Sequence, residues 1–185
     1  MKQRAYLIAL ALMFAATFAS AQKDKEPQPP TLPIDSTTKL ITYRGVVTQQ
    51  GTQAELFQRA MDWIAKYYKV TSEVIKSSDN ATGVIECTSK LKIHTAAKDG
   101  TPTVAGIVNY NFTIEAKEGR YRYTFTRFSL KDAAYNPIEK WFNTKLPTWY
   151  PERFNHLKEV DAEMTKVIAN LKEEMKPKVA KQDNW

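Results

Sequence analysis

Residues 104–130, VAGIVNYNFTIEAKEGRYRYTFTRFSL, decide the fold. Val108, Tyr110, Phe112, Ile114 and Ala116 fall on one side of an extended chain, and Asn109, Asn111, Thr113 and Glu115 on the other. That period of two describes a strand with one dry face and one wet face. Glu118-Gly119 follows as a tight hairpin turn, in which glycine supplies the positive φ that such turns require. The returning strand sets Tyr121, Tyr123 and Phe125 against Arg120, Arg122, Thr124 and Thr126. Phe128 and Leu130 then fall out of phase, and a bulge near Arg127 brings them back.

The same reasoning extends upstream. Val84 to Thr95 alternates, with Ile85, Cys87, Leu91 and Ile93 on the inner face beside Ser89, and Glu86, Thr88, Lys90, Lys92 and His94 on the outer one. Ser72 to Ser78 forms a shorter strand before it, separated by the polar turn Ser77-Ser78-Asp79-Asn80 and Gly83. Lys39 to Val47 is rich in β-branched and aromatic residues and makes the first strand. Between these strands the period changes. From Gln53 to Tyr68 the apolar residues Leu56, Phe57, Ala60, Met61, Ile64, Tyr67 and Tyr68 recur at helical spacing, with Thr52 and Glu55 placed to form a capping box. A second helix runs from Pro151 to Lys176 on Phe154, Leu157, Val160, Met164, Val167, Ile168, Leu171 and Met175. The predicted fold is therefore α+β in two layers: one curved five-stranded antiparallel sheet with two helices on one face, in the order β-α-β-β-β-β-α.

The flanks carry different signals. Lys2 and Arg4 precede an apolar run from Ala5 to Phe18 that ends in Ala19-Ser20-Ala21, so residues 1–21 are expected to be a signal peptide cleaved before Gln22. No cysteine lies near the cut to be acylated, so the mature protein is expected to be periplasmic or secreted and not lipid-anchored. Residues 22–37, with Pro27, Pro29, Pro30 and Pro33, are expected to form a disordered spacer. The domain then spans 38–176, and 177–185 is a basic flexible tail. The chain carries a net charge of +7, and removing the signal lowers that by two without touching an acidic residue. Much of the excess lies at Lys172, Lys176, Lys178 and Lys181, where a solvated chain end explains it.

The order of elements, together with Tyr43-Arg44-Gly45-Val46-Val47, Glu55-Leu56, Arg59-Ala60 and Trp63 in the first helix, and Glu118-Gly119-Arg120-Tyr121-Arg122-Tyr123 at the hairpin, resembles a known bacterial family. It is the exported domain of unknown function with a TATA-binding-protein-like (TBP-like) fold, and the resemblance covers Lys39 to Leu130. The resemblance implies a fold and an envelope setting. It brings no catalytic residues to carry over, and a fold name does not imply DNA binding.

Chemistry is sparse in the residues themselves. One cysteine excludes an internal disulfide and a four-cysteine zinc site. Cys87 belongs to the inner face, away from His94 on the outer one, and His156 near the start of the last helix is read as a surface residue. Six scattered glycines form no phosphate-binding loop, and no residue cluster calls for a metal or cofactor. The expected function is a non-enzymatic envelope module that binds a protein, peptide, glycan or lipid, with a hydrolase of unrecognised site as the alternative. Export disfavours nucleic acid. Lys131 to Tyr150 is the one long connection and is aromatic, so Tyr135, Trp141, Trp149 and Tyr150 are the candidate partner-binding residues. Those rings either dock a partner or cap the open end of the core.

Overall fold

The computed structural model describes residues 28–177 of the chain. The expected signal peptide, the first part of the spacer and nearly all of the tail lie outside the described residues. The order of elements is β1 Tyr43–Thr48, α1 Gln53–Tyr68, a single turn α2 Thr71–Val74, β2 Ile75–Asp79, β3 Val84–Ala96, β4 Pro102–Lys117, β5 Arg120–Leu130, a two-residue β6 Asn136–Pro137, a 3-10 turn Ile138–Phe142, and α3 Glu152–Glu174.

The sheet is antiparallel in the order β1-β5-β4-β3-β2, and β6 continues along β5 past the end of β1. Five strands stand in the expected order, but the second runs from Ile75 to Asp79 and not from Ser72 to Ser78: Ser72 to Val74 belong to the turn α2, and Ser77 to Asp79, read as a turn, pair with Glu86 to Val84. Gly119 turns the β4–β5 hairpin at φ 69° and sets Phe112 opposite Phe125 and Ile114 opposite Tyr123. The expected bulge is also there: Asn109 pairs with Ser129 and Asn111 with Thr126, so Arg127 and Phe128 share the space opposite Tyr110. Arg127 takes a φ of 57°, and the extra residue keeps both Phe125 and Phe128 on the helix side, where each is 0% exposed. A second irregularity, not legible beforehand, pairs Ile93 with Gly106 but His94 with Val104 and leaves Ala105 without a partner.

Helix α1 starts as its sequence demands. Thr52 accepts from the Glu55 N–H at 3.2 Å while Glu55 Oε2 accepts from the Thr52 N–H at 2.8 Å, satisfying two donors that the first turn leaves free. Its Leu56, Ala60, Trp63 and Ile64 are buried against the sheet. Helix α3 buries Phe154, Leu157, Val160, Met164, Val167 and Leu171 on the same side. A ribbon of rings runs beneath the two helices: Tyr68 stacks on Phe112 at 5.5 Å, Phe112 on Phe125 at 5.2 Å, and Tyr110 on Phe128 at 5.7 Å. The opposite face is polar, with Arg122 paired to Glu115 and Thr88 Oγ1 donating to Asn111 Oδ1 at 3.3 Å.

Part of the expected spacer packs on the domain. Leu32 is buried, Ile34 bridges to Ile41, and the Thr42 N–H donates to the Pro33 carbonyl at 2.8 Å. Asp35 turns the chain between them by accepting from the Thr37 and Thr38 amides. Prolines prevent a regular ladder there, but they do not stop apolar neighbours from covering a sheet edge. The first strand accordingly begins at Tyr43 and not at Lys39, whose φ of 60° belongs to the turn.

Candidate functional site

The aromatic connection is built into the domain more firmly than a loop. Ile138 is fully buried and Trp141 is 5% exposed. Trp149 donates its Nε1–H to the Trp141 carbonyl at 2.8 Å and meets Phe154 edge-on at 5.2 Å. Glu139 anchors the same turn to the segment just before β1 by accepting from the Ile41 N–H at 2.8 Å, and burial raises its carboxyl above the ordinary carboxylate range. Of the four candidate residues, Trp141 and Trp149 thus join the core, while Tyr135 and Tyr150 are exposed. The two exposed rings do not share a contact. Tyr150 instead packs on Arg153, whose guanidinium carbon lies 4.5 Å from its centroid and 4.6 Å from that of Trp141.

A second feature lies where β3 outruns β2. Strand β2 pairs with β3 only from Val84 to Cys87, so from Thr88 onward the outer edge of β3 has no neighbouring strand among the described residues. A groove of 410 Å³ runs beside it, lined by Tyr67, Tyr68, Tyr110, Leu91, Met164 and Val167, with Lys90, Lys92 and Glu163 along its rim. The Tyr68 and Tyr110 hydroxyls meet at 3.1 Å, and burial raises the pKa of both phenols. At the far end Glu159 of α3 accepts from the His94 backbone N–H at 2.7 Å and meets His94 Nδ1 at 2.6 Å. Beyond that pair a second groove, 460 Å³, is lined by Thr95, Ala96, Gly100 and Pro102.

Both histidines depart from expectation. His94, read as facing the wet side, is joined to the helix that covers the other side, because the shifted register beside it interrupts the alternation on which that reading rested. His156, read as a surface residue, is 1% exposed, since α3 rolls it beneath Trp141 and Tyr150. Among the described residues neither ring nitrogen has a well-formed hydrogen bond, although a backbone group of His94 lies close enough to favour the protonated ring. Burial first, and the nearby Arg153 cation second, hold its pKa below the ordinary imidazole range. Cys87 stands where the pattern put it, 3% exposed, and burial pushes its thiol up to about 12. Among the described residues no three His, Cys, Asp or Glu side chains gather as a metal site would need.

Residues 43–131 match the family model described as a domain of unknown function (DUF4468) with TBP-like fold. The stretch from β1 to the end of β5, with α1 between, thus matches DUF4468. The chain is similar to a crystal structure of a DUF4468 family protein from Bacteroides ovatus, at 17% identity over 82% of this chain and 95% of that one, with a TM-score of 0.56. It is also similar to a TBP-like protein from Parabacteroides distasonis, at 16% identity over 72% and 93%, with a TM-score of 0.50. At such identities the DUF4468 likeness is one of fold. No curated protein matches the chain.

Proposed function

We propose that the protein is an exported, non-enzymatic module of the bacterial envelope that holds a ligand or partner in the groove beside the free stretch of β3. The observation that carries this reading is the groove's composition: tyrosine and aliphatic side chains in the lining, and a few charged groups at the rim. Binding sites are built in that way, because apolar area supplies affinity and sparse polar groups supply orientation. Export rests on the charged start, apolar run and small-residue exit of residues 1–21. Among the described residues no helix is long and apolar enough to cross a membrane.

The test is capture from envelope extract by wild-type protein and by Tyr67→Ala and Lys92→Glu variants, all checked for an unchanged melting midpoint. Loss of one captured species in both variants supports the groove. Identical capture by all three proteins overturns it.

The His94–Glu159 contact favours a second reading, a hydrolase in which Glu159 orients an imidazole as a carboxylate does in general base catalysis. A turnover screen with ester, amide and glycoside substrates separates the two. Activity lost in His94→Ala but kept in Cys87→Ala replaces the binding module with an enzyme.

A further inference from the structure

Arg153 is a cation held in a fixed pose without a counter-ion. The Trp141 and Tyr150 rings lie on its guanidinium at 4.6 and 4.5 Å, so its flat faces are occupied and only its edge donors are left. Its Nε is buried without an acceptor, and no described residue forms an ion pair or hydrogen bond with the side chain. Beside it His156 is also buried, 5.9 Å from the Trp141 ring, with a backbone group of His94 close to its own ring, so Arg153 Nε is the donor of this cluster for which the described chain provides no acceptor. Buried polar groups in folded proteins are nearly always satisfied, and an acceptor from outside the chain, a ligand or a water, would satisfy this one.

Arg153 lines a cavity of 260 Å³. Lys140 and Asn136 stand on its polar side, while Leu146, Trp141 and Trp149 form an apolar wall. We infer that this cavity, distinct from the β3 groove, binds a small carboxylate carrying an aromatic or aliphatic body. The planar guanidinium fork matches a planar carboxylate edge-on, and Lys140 supplies a second positive charge. The wall of tryptophan and leucine accepts the body that a carboxylate would bring. Asp132, also on the lining, adds a negative charge that disfavours a phosphate dianion more than a singly charged acid. The volume is below the range of drug-sized pockets, which limits the ligand to about one ring and a short acid arm.

The probe is phenylacetate, with neutral phenylacetamide and inorganic phosphate as comparators, titrated into the purified protein with tryptophan emission as the signal. Saturable binding of phenylacetate is expected, with phenylacetamide and phosphate at least about tenfold weaker, since a hydrogen-bonded charge contributes that much. Arg153→Met keeps a flexible apolar side chain between the rings and is expected to weaken phenylacetate by about tenfold or more. If that variant melts early, Arg153→Lys and Lys140→Met carry the same comparison with less disturbance of packing. The groove variant Tyr67→Ala is expected to bind phenylacetate as wild type does, which keeps this site separate from the proposed function. Absence of saturable binding up to about ten millimolar overturns the inference. Equal affinity for the amide, tighter binding of phosphate, or unchanged affinity in the folded arginine and lysine variants does so too.

Discussion

The indole N–H of Trp63 donates to Asn170 Oδ1 at 2.9 Å, and this bond pins α1 to α3 across the top of the sheet. Trp63 is 1% exposed and meets Tyr68 and Phe112 edge-on at 5.6 and 5.9 Å, so its donor has nowhere else to turn. Asn170→Leu is expected to cost about 1–3 kcal/mol, the penalty of stranding a buried donor. In a Trp63→Phe background the same substitution should cost much less. Denaturant melts of the four proteins measure the coupling, and additive losses would show that the bond does not join the helices.

Phe112 and Thr113 are neighbours with opposite fates. The Phe112 ring lies between Tyr68 and Phe125 and is 1% exposed, whereas Thr113 faces the polar side. Phe112→Ala is expected to cost about 3–5 kcal/mol, and Thr113→Ala about 0.5 kcal/mol or less. Equal losses in urea would contradict the assignment of faces.

His156 should make the fold acid-sensitive. Its folded-state pKa lies below the value of about 6.5 that the unfolded chain restores, so the unfolded state binds the proton more readily. The stability tied to a neutral His156 is therefore complete above about pH 6.5 and is lost as pH falls from there toward the folded-state pKa. Glu139, whose carboxyl is held high by burial, acts in the opposite sense at lower pH. Melting midpoints between pH 7 and pH 5 should fall for wild type and fall less for His156→Leu. Parallel curves would remove His156 as the cause.

Cys87 should report on opening of the core. With a thiol near 12 and 3% exposure, it is expected to resist a thiol reagent at pH 8 for as long as the sheet stays closed. Its labelling rate should rise with denaturant in step with unfolding. Rapid labelling of the native protein would show that the β2–β3 corner opens on its own.

Much of this fold was legible because its signals are periodic. The alternation of residues 104–130, the helical spacing of Gln53 to Tyr68 and the capping pair Thr52 and Glu55 each state a local geometry, and the phase slip at Phe128 locates a bulge to the residue. Functional geometry was less legible. Glu159 lies 65 residues from His94, and no spacing rule joins a strand residue to a helix residue at that distance. Nothing in the sequence sets Arg153 apart, since only the folded chain shows which rings close over it. The burial of Trp141 followed from β6 and the 3-10 turn, elements too short for any period to announce.

The uncovered length of β3 sets how copies of this protein meet. Strand edges attract other strands, because each unpaired amide and carbonyl offers a bond to a newcomer. Here Lys90 and Lys92 project, exposed, from that stretch, with Glu73 3.9 Å from Lys90 as a partial screen. An incoming copy of the same edge would bring its own lysines against these, and the approach becomes costlier the closer it gets. The edge is thus guarded electrostatically and not by a covering strand, and the guard weakens as ionic strength rises and the Debye length shrinks. Crowded, salt-rich surroundings are therefore where self-association of this domain should first show itself.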